Sequence, residues 1–259
     1  MELFGVINAS PDSLHTESIV ANADEAARRA DWLLDNGAFG FDVGGQGSTF
    51  AAGESTVDEE WGRLEAVLPR LLSYDVPISV DTWRPETARR SLELGVPWLN
   101  AADGLQQPEM MELVAEHRCP VVLPFLSGPD PLRMEVVAET DPVDVILRFF
   151  EDRLVEADRY GIRDLVVIDP GTGFAPHDWP WEQRFVYQRR VYRDLDRLRV
   201  FELPIYIALP WKETDDHALL LDLVIDGDPE YGRVHHPDRV RVAEAARGRA
   251  RAGGDVVDS

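Results

Sequence analysis

Four polar residues lie where short apolar runs of this sequence end, and together they could bind one ligand. They are Asn8, Asp81, Asn100 and Asp169. A carboxylate can accept two parallel N–H bonds, and an amide both accepts and donates. The set therefore suits a heterocycle with an amidine-like edge, such as a pterin. A turn or helix-capping role is the structural alternative for each of these residues.

A second group of candidates is cationic and lies nearer the C-terminus, where Lys212, Arg233 and His235 accompany the last two apolar runs. Cationic side chains of this kind suit a phosphate group. Lys212 is the one lysine among 26 basic residues. This favours a specific need for a compact ammonium, because arginine's planar fork is larger. The alternative is that one lysine survived by chance on a surface loop.

Other catalytic motifs are missing from the sequence. It has no nucleophile elbow, no Walker A loop and no GxGxxG after an apolar run. His235 and His236 are adjacent, which is not the spacing of a metal-binding pair, so we do not expect a catalytic metal held by protein ligands alone. The lone cysteine, Cys119, leaves no internal disulfide.

The elements that must position these residues follow a repeated pattern of apolar run and amphipathic helix. Strands are predicted over 3–9, 39–45, 76–82, 97–104, 120–126, 164–170, 203–210 and 231–236. Helices are predicted over 23–37, 58–74, 84–95, 108–118, 141–161, 181–201, 217–227 and 237–253. Continuous apolar strands indicate a parallel sheet covered on both faces. Eight such units predict a single α/β domain, a (β/α)8 barrel over residues 1–252, with a disordered tail over 253–259.

The composition limits the partners. The chain carries 48 acidic and 26 basic residues, a net charge of −22, which disfavours nucleic acid and anionic membranes. Such a surface suits a high-salt cytoplasm, although a GC-rich genome would also favour arginine over lysine. No apolar stretch approaches the roughly 18 residues of a membrane span, and no secretory signal is apparent. We therefore expect a cytoplasmic protein.

Several segments resemble the dihydropteroate synthase family, in order and over nearly the whole chain. They are residues 5–13, 37–49, 78–95, 99–104 and 165–176, with weaker matches at 208–212 and 232–236. The resemblance implies condensation of 6-hydroxymethyl-dihydropterin pyrophosphate with p-aminobenzoate or a related arylamine, with loss of pyrophosphate. It also implies a Mg²⁺ ion bound with the pyrophosphate and, by analogy, a possible homodimer.

The resemblance also assigns roles to individual residues. The positions that match pterin-ring contacts are Asp81, Asn100, Asp169 and Lys212. The positions that match contacts of pyrophosphate and its magnesium are Asn8, Arg233 and His235, with Asn8 as the metal ligand. Thr49 matches a substrate-binding loop residue. The catalytic candidates are Asp81, Lys212 and Asn8.

The sequence departs from the family at the loops that build the acceptor side. Phe50 stands where the family has an arginine, and Pro210-Trp211 replaces a Ser-Arg pair ahead of Lys212. Two alternatives to a divergent synthase therefore stay open. One is a non-catalytic pterin-binding paralogue with a degenerate acceptor site. The other, less favoured, is a pterin-dependent methyltransferase that works with a separate corrinoid protein.

Overall fold

A computed structural model describes residues 1–12, 16–47, 53–135, 141–174 and 179–254. The strands are β1 (Glu2–Asn8), β2 (Gly40–Gly44), β3 (Ile78–Thr82), β4 (Trp98–Ala101), β5 (Val121–Pro124), β6 (Val166–Asp169), β7 (Tyr206–Ala208) and β8 (Tyr231–Val234). These eight parallel strands form one sheet in the order β6-β5-β4-β3-β2-β1-β8-β7. A bridge between Ile168 and Ile205 links β6 to the residue ahead of β7. The sheet is therefore a nearly closed barrel.

Helices follow the strands along the chain, which confirms the predicted (β/α)8 fold. They are α1 (Ala23–Asp35), α2 (Val57–Glu65), α3 (Leu68–Leu71), α4 (Pro85–Glu93), α5 (Pro108–His117), α6 (Pro142–Arg159), α7 (Trp181–Arg193), α8 (Asp215–Gly227) and α9 (Pro237–Gly254). Helix α9 includes the first two residues of the predicted tail, and 255–259 lie outside the described residues. None of the described helices is long and apolar enough to cross a bilayer.

Two predicted helices are interrupted. The helix predicted over 58–74 ends at Glu65 and resumes at Leu68, because Pro69 has no N–H to donate and fits only a first turn. The helix predicted over 181–201 ends at Arg193, and a 3₁₀-helix continues it over Leu195–Phe201. The buried residues of that segment recur every third position, which matches the three-residue turn of a 3₁₀-helix.

A glycine at the end of a helical pattern predicts a left-handed C-cap, and three helices end in this way. Gly37, Gly95 and Gly161 have φ angles of 93°, 102° and 66°. The same expectation for Gly227 is wrong, because Gly227 is helical and Asp228 takes the left-handed conformation, with φ 47°. Gly227 is needed for close packing instead, since a Cβ there would lie 2.7 Å from Leu195 Cδ1.

Aromatic rings pack together inside the barrel. Phe4 on β1 is fully buried, and its ring centroid lies 5.4–5.9 Å from four other rings, those of Phe39, Trp98, Tyr206 and Tyr231. Val122 and Val167 belong to the same buried cluster. These residues come early in their strands, so they pack the N-terminal half of the barrel. In barrels of this kind the ligand-binding site lies at the C-terminal ends of the strands.

Candidate functional site

Side-chain alternation explains why polar residues meet at the C-terminal end of the barrel. Successive side chains of a strand point to opposite faces, so the residue two positions after an inward ring also faces inward. Trp98, Val167 and Tyr231 belong to or pack against the buried interior cluster. Two residues later on the same strands come Asn100, Asp169 and Arg233. These three side chains therefore share the mouth of the barrel.

Arg233 is the centre of a hydrogen-bonded group of side chains. Its Nε donates to Asp42 Oδ2 at 2.5 Å, and Nη2 donates to Asp81 Oδ2 at 3.1 Å. Ser79 Oγ donates to Asp42 Oδ1 at 2.5 Å, and Asn100 Nδ2 lies 3.4 Å from both oxygens of Asp42. Asp42 is fully buried, and the side chains of Asp81 and Arg233 are 14% and 22% exposed. The predicted residues Asp81, Asn100 and Arg233 are thus brought together.

Negative charge exceeds positive charge in this part of the barrel. Burial raises the pKa of Asp81 to about 7 although Arg233 opposes the shift. Burial also raises the pKa of Asp169 to about 7. Burial lowers the pKa of Arg233, but Asp42 and Asp81 outweigh this effect and raise it. Three carboxyl groups with one guanidinium suit a ligand that brings N–H donors.

The turn after β6 holds Asp169 in place. Asp169 Oδ1 accepts from the backbone N–H of Gly171 at 2.8 Å. Gly171 has φ 70°, and a Cβ there would lie 2.0 Å from the carbonyl oxygen of Phe125. Only glycine fits this close approach of two loops. The Asp-Pro-Gly sequence is therefore the local cause of the position of Asp169.

Asn8 and His235 lie on the neighbouring side, where β1 and β8 are adjacent strands. A Cβ placed on Gly44 would come within 3.7 Å of Asn8 Oδ1 and 3.9 Å of Asp81 Cβ. Asn8 and Asp81 therefore flank Gly44, which itself has no side chain. His235 Nδ1 lies 2.7 Å from Ser18 Oγ, and Arg29 Nη2 donates to the His235 carbonyl at 2.6 Å.

Lys212 does not join the buried group. Its side chain is exposed, and Nζ lies 5.2 Å from the ring centroid of Trp211 and 6.0 Å from that of Trp181. Trp181 in turn stacks on His217, with ring centroids 4.4 Å apart. In this arrangement cation–π contacts hold the ammonium on two tryptophan rings. The pterin-binding role of Lys212 stays a prediction.

Thr49 lies in the segment 48–52, outside the described residues, as does Phe50. Asp103, another carboxylate at the end of a strand, is buried and accepts from the backbone N–H groups of Leu105 and Gln107 at 3.1 and 3.0 Å. Asp103 therefore forms the turn ahead of α5.

Asp42 is not among the candidates that the sequence indicates, although its carboxylate accepts from Arg233 Nε at 2.5 Å. The two residues are 191 positions apart, so no local pattern relates them. The available signal is the period of two. Asp42 lies two positions before Gly44, and both pair in register with β3, opposite Ser79 and Asp81.

Another buried carboxylate, that of Glu60 on α2, supports the end of β3 from outside the barrel. It accepts from Thr82 Oγ1 at 2.8 Å, Thr87 Oγ1 at 2.9 Å and Arg84 Nη1 at 2.6 Å. Arg84 also donates to the Ser55 carbonyl at 2.6 Å. Thr82 directly follows Asp81, so this network fixes the backbone that carries the site.

Comparison with known proteins gives a consistent result. Residues 4–215 match the family model described as pterin binding enzyme. The dihydropteroate synthase of Synechocystis is 29% identical over 176 residues, 67% of this chain and 61% of that protein. The Escherichia coli K12 enzyme is 30% identical over 212 residues, 81% of this chain and 73% of that protein. The chain thus spans less than two thirds of the length of the Synechocystis protein.

The fold of this chain is also similar to that of solved dihydropteroate synthase structures. The dihydropteroate synthase of Xanthomonas albilineans with 4-aminobenzoic acid has a TM-score of 0.81 to this chain. The sequences are 25% identical, and the similarity covers 97% of this chain and 93% of that one. The pterin-binding family match covers most of the barrel and includes the strands that carry the buried carboxylates. The chain therefore belongs to the family of pterin-binding enzymes that includes the dihydropteroate synthases.

Proposed function

We propose that this protein is a divergent dihydropteroate synthase that condenses 6-hydroxymethyl-dihydropterin pyrophosphate with p-aminobenzoate or a related arylamine. The observation that carries the proposal is the buried group of Asp42, Asp81, Asp169 and Arg233 at the mouth of the barrel. A pterin presents a 2-amino-pyrimidinone edge, whose N–H groups match carboxylate acceptors. Asp81, Asn100 and Asp169 would hold the ring.

The reaction needs stabilisation of charge more than it needs a protein nucleophile. The bond between the hydroxymethyl carbon and the pyrophosphate oxygen breaks, and its electron pair leaves with pyrophosphate. The amine nitrogen forms the new bond to that carbon and then loses a proton. Arg233 and His235 would bind the leaving group, and the carboxylates would stabilise positive charge on the pterin. Binding both substrates side by side in the reacting geometry supplies the rest of the rate enhancement.

Magnesium would be bound mainly through the substrate. Mg²⁺ usually takes one or two protein oxygens together with substrate phosphates and water. Among the described residues no three His, Cys, Asp or Glu side chains are placed to hold a metal. The amide oxygen of Asn8 next to Gly44 fits the part of a single protein ligand. When bound, the ion would neutralise charge on the pyrophosphate.

The acceptor side supports a second candidate, a pterin-binding paralogue without synthase activity. Phe50 and Trp211 stand where the family has arginines. These departures leave the pterin side intact and remove cations that an aryl carboxylate would need. A cytoplasmic location and a homodimer are proposed only by analogy with the family.

Pyrophosphate release with and without p-aminobenzoate tests the proposal, with pterin binding measured on the same samples by calorimetry. A synthase releases pyrophosphate in an arylamine-dependent way and forms dihydropteroate. Pterin binding without any release, across a panel of arylamines, would favour the non-catalytic paralogue. If the protein bound neither the pterin pyrophosphate nor the unphosphorylated pterin, both candidates would be refuted.

A further inference from the structure

The imidazole of His235 is hydrogen-bonded to a serine that is buried beside β1. Nδ1 of His235 lies 2.7 Å from Ser18 Oγ, and Ser18 is fully buried. Ser18 is the last residue of a short 3₁₀-helix over Thr16–Ser18. The next residue, Ile19, forms a β-bridge with Asn8 at the end of β1. The position of the serine hydroxyl is therefore fixed relative to the strand end that carries Asn8.

Arg29 on α1 is the second neighbour of this hydroxyl. Its Nη2 donates to Ser18 Oγ at 3.4 Å and to the His235 carbonyl at 2.6 Å, and its Nε donates to the Val6 carbonyl at 3.3 Å. The guanidinium also lies over the Trp32 ring, 4.7 Å from the ring centroid. Burial lowers the pKa of Arg29 to about 10, so the guanidinium is still protonated at neutral pH. These anchors fix the direction of the N–H group that meets Ser18.

The contacts of Ser18 determine where its proton and that of His235 lie. A guanidinium can only donate, so Ser18 Oγ accepts from Arg29. The hydroxyl has one proton to donate, and Nδ1 of His235 is the acceptor that it reaches among the residues described by the structure. The reverse arrangement, with Nδ1–H donating to Ser18, would leave a buried hydroxyl proton without that acceptor, which is costly. In a neutral imidazole whose Nδ1 accepts, the proton is on Nε2.

We propose that Ser18, aligned by Arg29, is a positioning residue that fixes His235 in the neutral tautomer with its proton on Nε2. The two ring nitrogens point in divergent directions, so an Nδ1 directed at buried Ser18 turns Nε2 away from it. The ring then offers an N–H donor to an oxygen of the leaving group, and Nε2 has no lone pair with which to bind a cation or accept a proton. That role rests on the proposed function, whereas the tautomer is a property of the protein without ligand.

Nitrogen-15 NMR of histidine-labelled protein at pH 8, without ligand, tests the tautomer. The His235 signals are assigned by their loss in His235→Gln. Wild type should show a protonated Nε2 and an unprotonated Nδ1 whose resonance is shifted by its hydrogen bond, and Ser18→Ala should move that resonance toward the position of a free acceptor nitrogen. A proton on Nδ1 in wild type, or two protonated nitrogens, would overturn the inference whether or not Ser18→Ala folds.

Binding measurements on Ser18→Ala give the second readout. Its affinity for the pterin pyrophosphate should fall about 3- to 10-fold, the effect of losing one ordinary hydrogen bond, and its affinity for the unphosphorylated pterin should stay unchanged. Ser91→Ala is the matched control, because Ser91 is also fully buried but its hydroxyl donates to the Thr87 carbonyl within α4. It should alter neither the His235 signals nor either dissociation constant.

Two binding results would contradict the positioning role of Ser18. They are unchanged affinity of Ser18→Ala for both ligands, and equal weakening of both, which would mean that the serine only supports the fold. Wild-type protein that shows the expected tautomer of His235 but binds neither ligand would refute the proposed function alone.

Discussion

Asp169 illustrates how a single buried carboxyl group trades stability for binding. Burial raises its pKa from the ordinary 3.8 to about 7, so the folded protein holds this proton more tightly than the unfolded chain. Stability therefore falls as pH rises between about 4 and 7, and the full cost is present above that range. We expect Asp169→Asn to raise Tm by a few degrees at pH 8 and to change it little at pH 4.

The same substitution should weaken pterin binding by about 1.5–3 kcal/mol, the range for hydrogen bonds to charged groups. Asp103→Asn is the control, since Asp103 is also buried but accepts its hydrogen bonds from the turn ahead of α5. It should leave pterin affinity unchanged. Calorimetry that finds wild-type affinity in Asp169→Asn would remove this residue from the site, and an unchanged Tm at pH 8 would contradict the burial argument.

Tyr206 and Tyr192 form a natural pair for a second comparison. Both are buried, but the Tyr206 hydroxyl has no hydrogen-bond partner among the residues that the structure describes. Tyr192 donates to Thr172 Oγ1 at 3.0 Å or the Ala208 carbonyl at 3.2 Å. Removing an unpaired buried hydroxyl is neutral or stabilising, whereas removing a paired one costs about 1 kcal/mol.

We therefore expect Tyr206→Phe to keep or raise Tm, and Tyr192→Phe to lower it by about 2–4 °C, the scale for 1 kcal/mol in a domain of this size. Thermal unfolding of the two variants side by side, without ligand, is the measurement. A loss of stability in Tyr206→Phe as large as that in Tyr192→Phe would mean that the first hydroxyl is satisfied in solution.

At the scale of elements, the sequence was sufficient to predict the strands but not to predict the contacts that the loops make. Apolar runs identify the strands, and the ends of those runs mark Asn8, Asn100 and Asp169 as candidates for one site. This reasoning needs no tertiary information. The position of Lys212 depends instead on where Trp181, at the start of a different helix, meets the loop after β7. No pattern local to either segment specifies that contact.

The helix interruptions follow the same distinction between local and tertiary causes. The break at Pro69 could be predicted from the residue itself, because proline cannot donate in a helix interior. The change to a 3₁₀-helix at Leu195 could not, because no residue there excludes an α-helix. It arises from packing, which buries Leu195, Leu198 and Phe201 against the barrel. Propensity yields to tertiary contacts in such short segments.

For the whole molecule, charge is the dominant feature. A net charge of −22 on 259 residues makes the folded chain repel itself. Arginine-carboxylate pairs at the surface, such as Arg118 with Asp164 and Arg163 with Asp158, offset part of this repulsion. Exposed pairs of this kind contribute only about 0–1 kcal/mol each. The 48 acidic residues outnumber the 26 basic ones, so ion pairing cannot neutralise the remaining negative charge.

Salt should therefore stabilise the fold, although it weakens the individual surface pairs. Added potassium chloride shortens the screening length from about 10 Å at 0.1 M to about 3 Å at 1 M, so long-range repulsion is lost before close attraction. We expect Tm to rise steadily from low salt to 1 M, and equally in sodium chloride, because screening does not distinguish the two cations. A flat Tm over this range would show that the acidic surface carries no stability cost. The excess of arginine over lysine would then point to the base composition of the genome rather than to a high-salt cytoplasm.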